Sequence, residues 1–414
     1  MTPSLGKYSS TVNHINWHVV FWGMALQFLF GIFVIKTTLG KNVITYLSVR
    51  FLELTNHAES GASFAMPKVL FFCTILSALN YFGVMQFIIK TIGGFLSFCL
   101  GSAPIESVAA AANIFLNTTE TAVIVKDYLA DMPLAELFCV LTTGMSSVAG
   151  VSIVIFIGFG VPAEYLLAAN LMSAPAALAV AKISMPGTEE NEKPQEIDLS
   201  KIKKARNLLD AVSQGCETGT RLVVAVVVNV LVYTSLLSLV NSTLEWFGDR
   251  AGVVNLSLRQ NPHLICSYIL WPVAYIMGVA SQDCHAVASL LGIRAVTNPG
   301  IAYIEFSKYL HNKDSVNEYQ LLYNDTLTVQ NDLFLPQWNK TLTNGILQDK
   351  TEVIATYALC GFSCIQVVGI SLGAIGALAP TRKFDLMNLA VRAFFTSTMA
   401  SLLTACVAGL LYLG

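Results

Sequence analysis

The chain has 414 residues, 54% of them hydrophobic and 12% charged, against about 25% charged in a typical soluble domain, and it reads as an integral membrane protein. Its formal net charge of -2 lacks the basic excess that a nucleic-acid partner requires. The 9 cysteines sit in apolar stretches, as at Cys73, Cys139, Cys266 and Cys406, and read as small buried hydrophobes; Cys360 and Cys364 have no histidine partners at a metal-site spacing.

The opening stretch MTPSLGKYSSTVNHINW lacks the basic, apolar and small-residue segments of a cleaved signal peptide, so the first apolar helix is expected to be retained. Crossing a hydrocarbon core about 30 Å thick takes about 20 mostly apolar residues. The segments that qualify are Trp17–Ile35, Pro67–Ile89, Leu134–Gly160, Tyr165–Met185, Leu222–Leu244, Leu264–Val279, Val353–Leu378 and Leu386–Leu413. They predict an all-α polytopic bundle and exclude a β-barrel, whose signal is short alternating segments.

Two stretches are too interrupted for ordinary spanning helices: Glu106–Leu129, and Cys284–Tyr309 with its Pro299-Gly300 interrupter; both are predicted to be re-entrant hairpins. Each is followed by an apolar helix with a polar break, TTGMSSVAGVSI (Thr142–Ile153) after the first and LCGFSCIQVVGI (Leu359–Ile370) after the second. Basic residues in short loops mark the cytoplasmic side, here Lys201–Arg206 and Thr381–Lys383, with Lys7 also inside and Lys36, Lys41 and Arg50 outside against the trend. Asn241–Pro262 and Lys308–Lys350 then face outward, and there Asn255, Asn324 and Asn339 head glycosylation triplets. The two halves have opposite topology. Inverted repeats with broken helices in corresponding places point to a secondary transporter with its site near the midplane, where freed backbone lines a cavity. The expected units are N-terminal and scaffold helices at 1–89 and a first repeat at 90–206. A scaffold helix with second hairpin and outer loop at 207–350 follows, then the second broken helix and last helix at 351–414.

Within the first hairpin, AAANIFLNTTETAV holds Glu120, which at membrane depth is a functional candidate; as an interfacial loop residue it would not be. Asn113, Thr118 and Thr119 supply oxygens and donors beside it, or serve as caps. Ser146–Gly150 adds hydroxyls at the break, and a hard cation such as Na+ would use Asn113, Ser147 and nearby carbonyls. The second half offers Asn298, Ser363, Cys364 and Gln366 but no acid at its break. Asp283 and His285 read as interfacial or hydrogen-bonded residues, and Glu217 with Arg221 as a local i,i+4 ion pair. No Ser-His-Asp order, HExxH or Cys-His pairing lies at membrane depth, so no enzyme is expected.

GSAPIESVAAAANIF (Gly101–Phe115), ETAVIVKDYLADMPLAELF, LMSAPAALAVAKISMPGTEENEKP, YALCGF (Tyr357–Phe362) and LGAIGALAPTRKFDL occur in an order that resembles the concentrative nucleoside transporters, sodium- or proton-coupled symporters. The likeness runs from about Ile15 to the C-terminus. It implies a homotrimer in a bilayer, and a sequence that starts after the first helix of the usual bacterial core. Each protomer would have a scaffold and an elevator-like transport domain, with Na+ (or H+) as coupling ion and no organic cofactor. Carried over residue by residue, the sodium shell falls on Asn113, Leu116, Ser147 and Val148, and the substrate shell on Thr118, Thr119, Glu120, Ser152, Pro299, Phe362, Cys364 and Val367. The family's glycine-glutamine-threonine-glutamate is here Asn117-Thr118-Thr119-Glu120, its ribose-holding glutamate is Pro299, and its sugar-binding asparagine and serine are Cys364 and Val367. The resemblance implies sodium-coupled import of nucleosides or a related small solute; Cys364 and Val367 make the wall more apolar and the solute less dependent on ribose hydroxyls, and the glycosylation triplets point to a glycoprotein of the plasma membrane. The alternative is a transport-inactive relative with a sensing, scaffolding or regulatory role.

Overall fold

The computed structural model describes residues 15–56, 65–187, 205–250, 264–323, 333–335, 338, 340–342 and 345–412. The triplets at Asn255, Asn324 and Asn339, and Lys201–Lys204 of the basic loop, lie outside the described residues. Helix α1 (Trp17–Gly31) starts on Asn16, whose side chain accepts from Val19 N, and runs into a π-helical turn at Ile32–Lys36. Helix α2 (Thr38–Asn56) follows, then α3 (Ala65–Tyr81) and α4 (Val84–Leu100). The expected single span Pro67–Ile89 is corrected here: α3 and α4 meet at a 79° bend. Gly83 sits in the bend at φ 80, a conformation that only glycine adopts without a Cβ penalty.

The first hairpin is α5 (Pro104–Asn113) and α6 (Thr118–Ile124), and the first broken helix is α7 (Leu134–Ser146) and α8 (Gly150–Gly158). Proline at the first position of α5 and Asn117 as N-cap of α6 are the residue types that start helices, which is why the interrupted stretch folds as two short arms. Helix α9 (Ala163–Ser184) completes the repeat. Lys182 on α9 meets Glu106 on α5 at 2.9 Å, with side-chain exposures of 3% and 0%.

Helix α10 (Leu208–Arg250) has 43 residues, about 64 Å at 1.5 Å per residue, and contains the expected span Leu222–Leu244. It packs along α3 through Gly215 and Gly219; a Cβ on Gly215 would come within 2.6 Å of Thr74 Cα. The expected span Leu264–Val279 is also corrected: it is two six-residue helices, α11 (Leu264–Ile269) and α12 (Trp271–Ile276), both packed on α13. Pro272 can neither donate to the preceding turn nor fit inside a continuous helix.

The second hairpin is α13 (Cys284–Val296) and α14 (Pro299–Tyr323), longer than expected because α14 continues into the polar stretch. Strands β1 (Leu333–Leu335) and β2 (Lys340–Leu342) pair antiparallel, and Trp338 meets Tyr319 of α14 edge-on at 5.4 Å. The second broken helix is α15 (Asp349–Leu359) and α16 (Ile365–Leu378), and α17 (Lys383–Leu411) ends the repeat. Hairpin, broken helix and long helix thus occur twice in the same order. Among the described residues, Trp17–Lys36, Leu134–Gly158, Ala163–Ser184 and Pro380–Leu411 are helical, long and apolar enough to cross a membrane.

Candidate functional site

The first hairpin and the first broken helix end against each other. Asn113 is the last residue of α5 and 1% exposed; its Nδ2 donates to Thr143 Oγ1 at 3.2 Å, while its Oδ1 is buried without a hydrogen-bond partner. Ser147 is extended at the break (φ -110, ψ 160), and its hydroxyl donates to Thr143 O at 3.0 Å. The Gly150 amide donates to Phe115 O at 3.0 Å, so α8 begins on the hairpin tip that carries Leu116. A Cβ on Gly150 would lie 3.1 Å from that carbonyl. Val148 is fully buried between these contacts. A buried acceptor with no donor calls for an explanation such as an ion, and Asn113 Oδ1 beside a hydroxyl and freed carbonyls fits a hard cation that takes oxygen ligands.

The neighbouring residues of the hairpin are held by their own backbone. Asn117 and Glu120 form a capping box: Glu120 N donates to Asn117 Oδ1 at 2.8 Å, and Asn117 N donates to Glu120 Oε2 at 3.2 Å. The box fixes one carboxylate oxygen. Thr118 donates to Gly144 O at 2.9 Å, and a Cβ on Gly144 would come within 2.7 Å of its methyl carbon; Thr119 is exposed. The same Cβ on Gly150 would lie 3.2 Å from the Phe72 ring of α3, which places the hairpin tip near that helix.

In the second half, Asn298 caps α14 by accepting from Ile301 N at 2.9 Å, and Pro299 is the first helical residue and buried. Proline there offers neither acid nor N–H donor. Cys364 is the N-cap of α16 and 0% exposed, and Val367 is buried one turn later. Both belong to the apolar cluster of Ala122 and Met145, with Phe362 and Leu116 packed against it, and α16 touches α6. The structure therefore brings Phe362, Cys364 and Val367 to the first hairpin. The start of α14 packs instead on α8, the helix that carries Ser152, and Phe156 of α8 lies 4.4 Å from Tyr303, centroid to centroid.

Three polar residues inside apolar helices went unread in the sequence. Asn170 of α9, 1% exposed, bonds to Val148 and Ile114. Arg294 of α13, also 1% exposed, donates to Ala358 O and to Ser401 Oγ, and Tyr303 of α14 donates to Thr356 O at 2.9 Å. Both arms of the second hairpin thereby hold the carbonyl end of α15, whose last carbonyls have no intrahelical donor. Lys182 is the third. The signal for all three was a polar side chain at membrane depth.

The family model described as Na+ dependent nucleoside transporter C-terminus matches residues 165–409, that of the N-terminus 7–69, and a nucleoside recognition (Gate) model 62–163. Solute carrier family 28 member 3 of Homo sapiens is 37% identical, over 98% of this chain and 57% of its own length. Sodium/nucleoside cotransporter 2 of Rattus norvegicus is 35% identical, over 96% and 59%. The chain therefore spans under three-fifths of the length of these curated relatives. The structure of CNTnw in an inward-facing substrate-bound state superposes with a TM-score of 0.81 at 29% identity, covering 96% of this chain and 93% of that one.

Proposed function

The chain belongs to the Na+-dependent nucleoside transporter family, and on that premise we propose that it is a sodium-coupled symporter importing nucleosides, or a related small solute, by alternating access. The observation that carries this reading is the buried, partnerless Asn113 Oδ1 at the junction of hairpin and broken helix, with Ser147 and Val148 alongside. An intact oxygen set weighs against the transport-inactive alternative. Sodium would join α5 to the break between α7 and α8, ordering the tip that carries Glu120, and the loaded protein would cross more readily; coupling is then a population shift. The protein would work as a homotrimer in the plasma membrane, glycosylated outside, with an elevator-like movement of its transport domain.

The solute would accept or donate at Glu120, whose second carboxylate oxygen is outside the capping box, and would lie against Phe362, Cys364 and Val367. That wall has no carboxylate, amide or hydroxyl side chain for ribose, only the weakly bonding Cys364 thiol. A site built to bond a hydroxyl rejects an analogue lacking it strongly, and a wall without such groups does not. Uptake of labelled nucleosides and their 2′,3′-dideoxy analogues, in sodium and in choline, tests this. The expected result is sodium-dependent uptake in which the dideoxy analogues compete within about tenfold of the parents, a ratio worth about 1.4 kcal/mol. Uptake abolished by removing both hydroxyls would overturn the apolar-wall reading.

A further inference from the structure

Asn170 lies in α9 among Leu166, Ala168, Ala169 and Met172, all buried. Its side chain makes three hydrogen bonds, none of them to its own helix. Oδ1 accepts from Val148 N at 2.8 Å, and Nδ2 donates to Val148 O and to Ile114 O, both at 2.6 Å. Ile114 caps the C-terminus of α5, directly after Asn113, and Val148 directly follows Ser147 in the break. One amide group therefore fastens the end of the hairpin arm to the break, using backbone groups that became free where two helices stop.

We infer that Asn170 is a positioning residue of the sodium shell, holding the Val148 carbonyl and the end of α5 in place before the ion arrives. The inference rests on the sodium-coupled reading above. A carbonyl oxygen has two lone pairs; Asn170 takes one on Val148 and leaves the other for a cation. Its amide has a planar, fixed arrangement of donor and acceptor, so it sets the orientation of the Val148 peptide as well as its position. Without it, the ion would have to order the hairpin end and the break as it bound, and that cost would appear as lost affinity. Groups that orient ligands in this way typically account for 10- to 100-fold in metal affinity.

The test is thermal unfolding of the purified full chain in detergent, titrated with sodium chloride against choline chloride at constant ionic strength. Sodium is expected to stabilise the wild type, and Asn113→Ala is expected to remove that shift. Asn170→Ser, which cannot reach all three backbone groups, is expected to need about 10- to 100-fold more sodium for half the shift. Asn170→Thr, with the same single hydroxyl, is expected to show the same loss, and it decides the matter if the serine variant does not fold. A residue that only staples helices would lower the melting temperature equally in both salts. Half-saturation at the wild-type sodium concentration in either folded variant therefore overturns the inference alone. A wild-type chain with no sodium-dependent shift overturns the sodium reading and this inference with it.

Discussion

Glu106 and Lys182 face each other at 2.9 Å with almost no exposure. Removing one partner of such a pair leaves a charge in a medium that cannot solvate it, at about 3–5 kcal/mol, whereas replacing both with apolar groups is often neutral. Lys182→Met is expected to destabilise the protein by that amount, and the double variant Glu106→Leu/Lys182→Met to recover most of it, as read by thermal unfolding. Equal losses in the single and double variants would show that the pair is not coupled. Glu120 permits a cleaner separation of fold from function, because a capping box works with Gln as well as Glu at its third position. Glu120→Gln is expected to melt within about 1 kcal/mol of wild type yet lose sodium-dependent uptake. Loss of folding would assign Glu120 to structure. Glu120 and Asn113 were legible in the sequence because they stand within a polar cluster, whereas Asn170 and Arg294 each interrupt a long apolar run only once. An isolated polar residue leaves the pattern of a spanning helix unchanged, and only the packed structure reveals the backbone groups it serves.

At the scale of elements, the hairpins and broken helices were readable because the Asn-Thr-Thr-Glu run, Pro299-Gly300 and the serines at 146–147 interrupt apolar stretches. The bend between α3 and α4 was not, since Gly83 is a lone glycine in a run of otherwise sufficient length and hydrophobicity. Nor was the division of 264–279, where tertiary packing on α13 replaces a crossing. The contact of α10 with α3 depends on small residues four apart, a pattern that lets helix backbones approach closely. Gly215→Val is expected to force the helices apart and to cost about 1–3 kcal/mol, the usual range for overpacking; unchanged thermal stability would contradict this. Away from the helices long and apolar enough to cross a membrane, Lys313 of α14 pairs with Asp349 at 2.6 Å and with Glu352 of α15. Burial opposes its charge, but hydrogen bonds and attraction from Asp349 and Glu352 outweigh it and raise the ammonium above its ordinary value. A raised folded-state value stabilises fully below the unfolded one and is lost as pH rises through the folded one. Lys313→Met is therefore expected to destabilise at neutral pH, and its difference from wild type to vanish only well above pH 10.5.

For the whole molecule, two repeats of hairpin, broken helix and long helix meet so that the breaks adjoin. The first carries the partnerless Asn113 Oδ1 and the Ser147 hydroxyl that the proposed function gives to sodium, and the second presents Pro299, Cys364 and Val367 where the resemblance places ribose ligands. On the proposed reading the ion half of the site would be kept and the solute half altered, an asymmetry that would give sodium-coupled transport with relaxed sugar recognition. The most direct measurement is solute accumulation by the purified chain in proteoliposomes, driven by an inward sodium gradient or by choline, for wild type and Asn113→Ala. The account predicts accumulation of a nucleoside or dideoxynucleoside only with sodium, lost in Asn113→Ala while the variant still folds. Accumulation that is equal in choline, or a sodium response that survives Asn113→Ala, would contradict it.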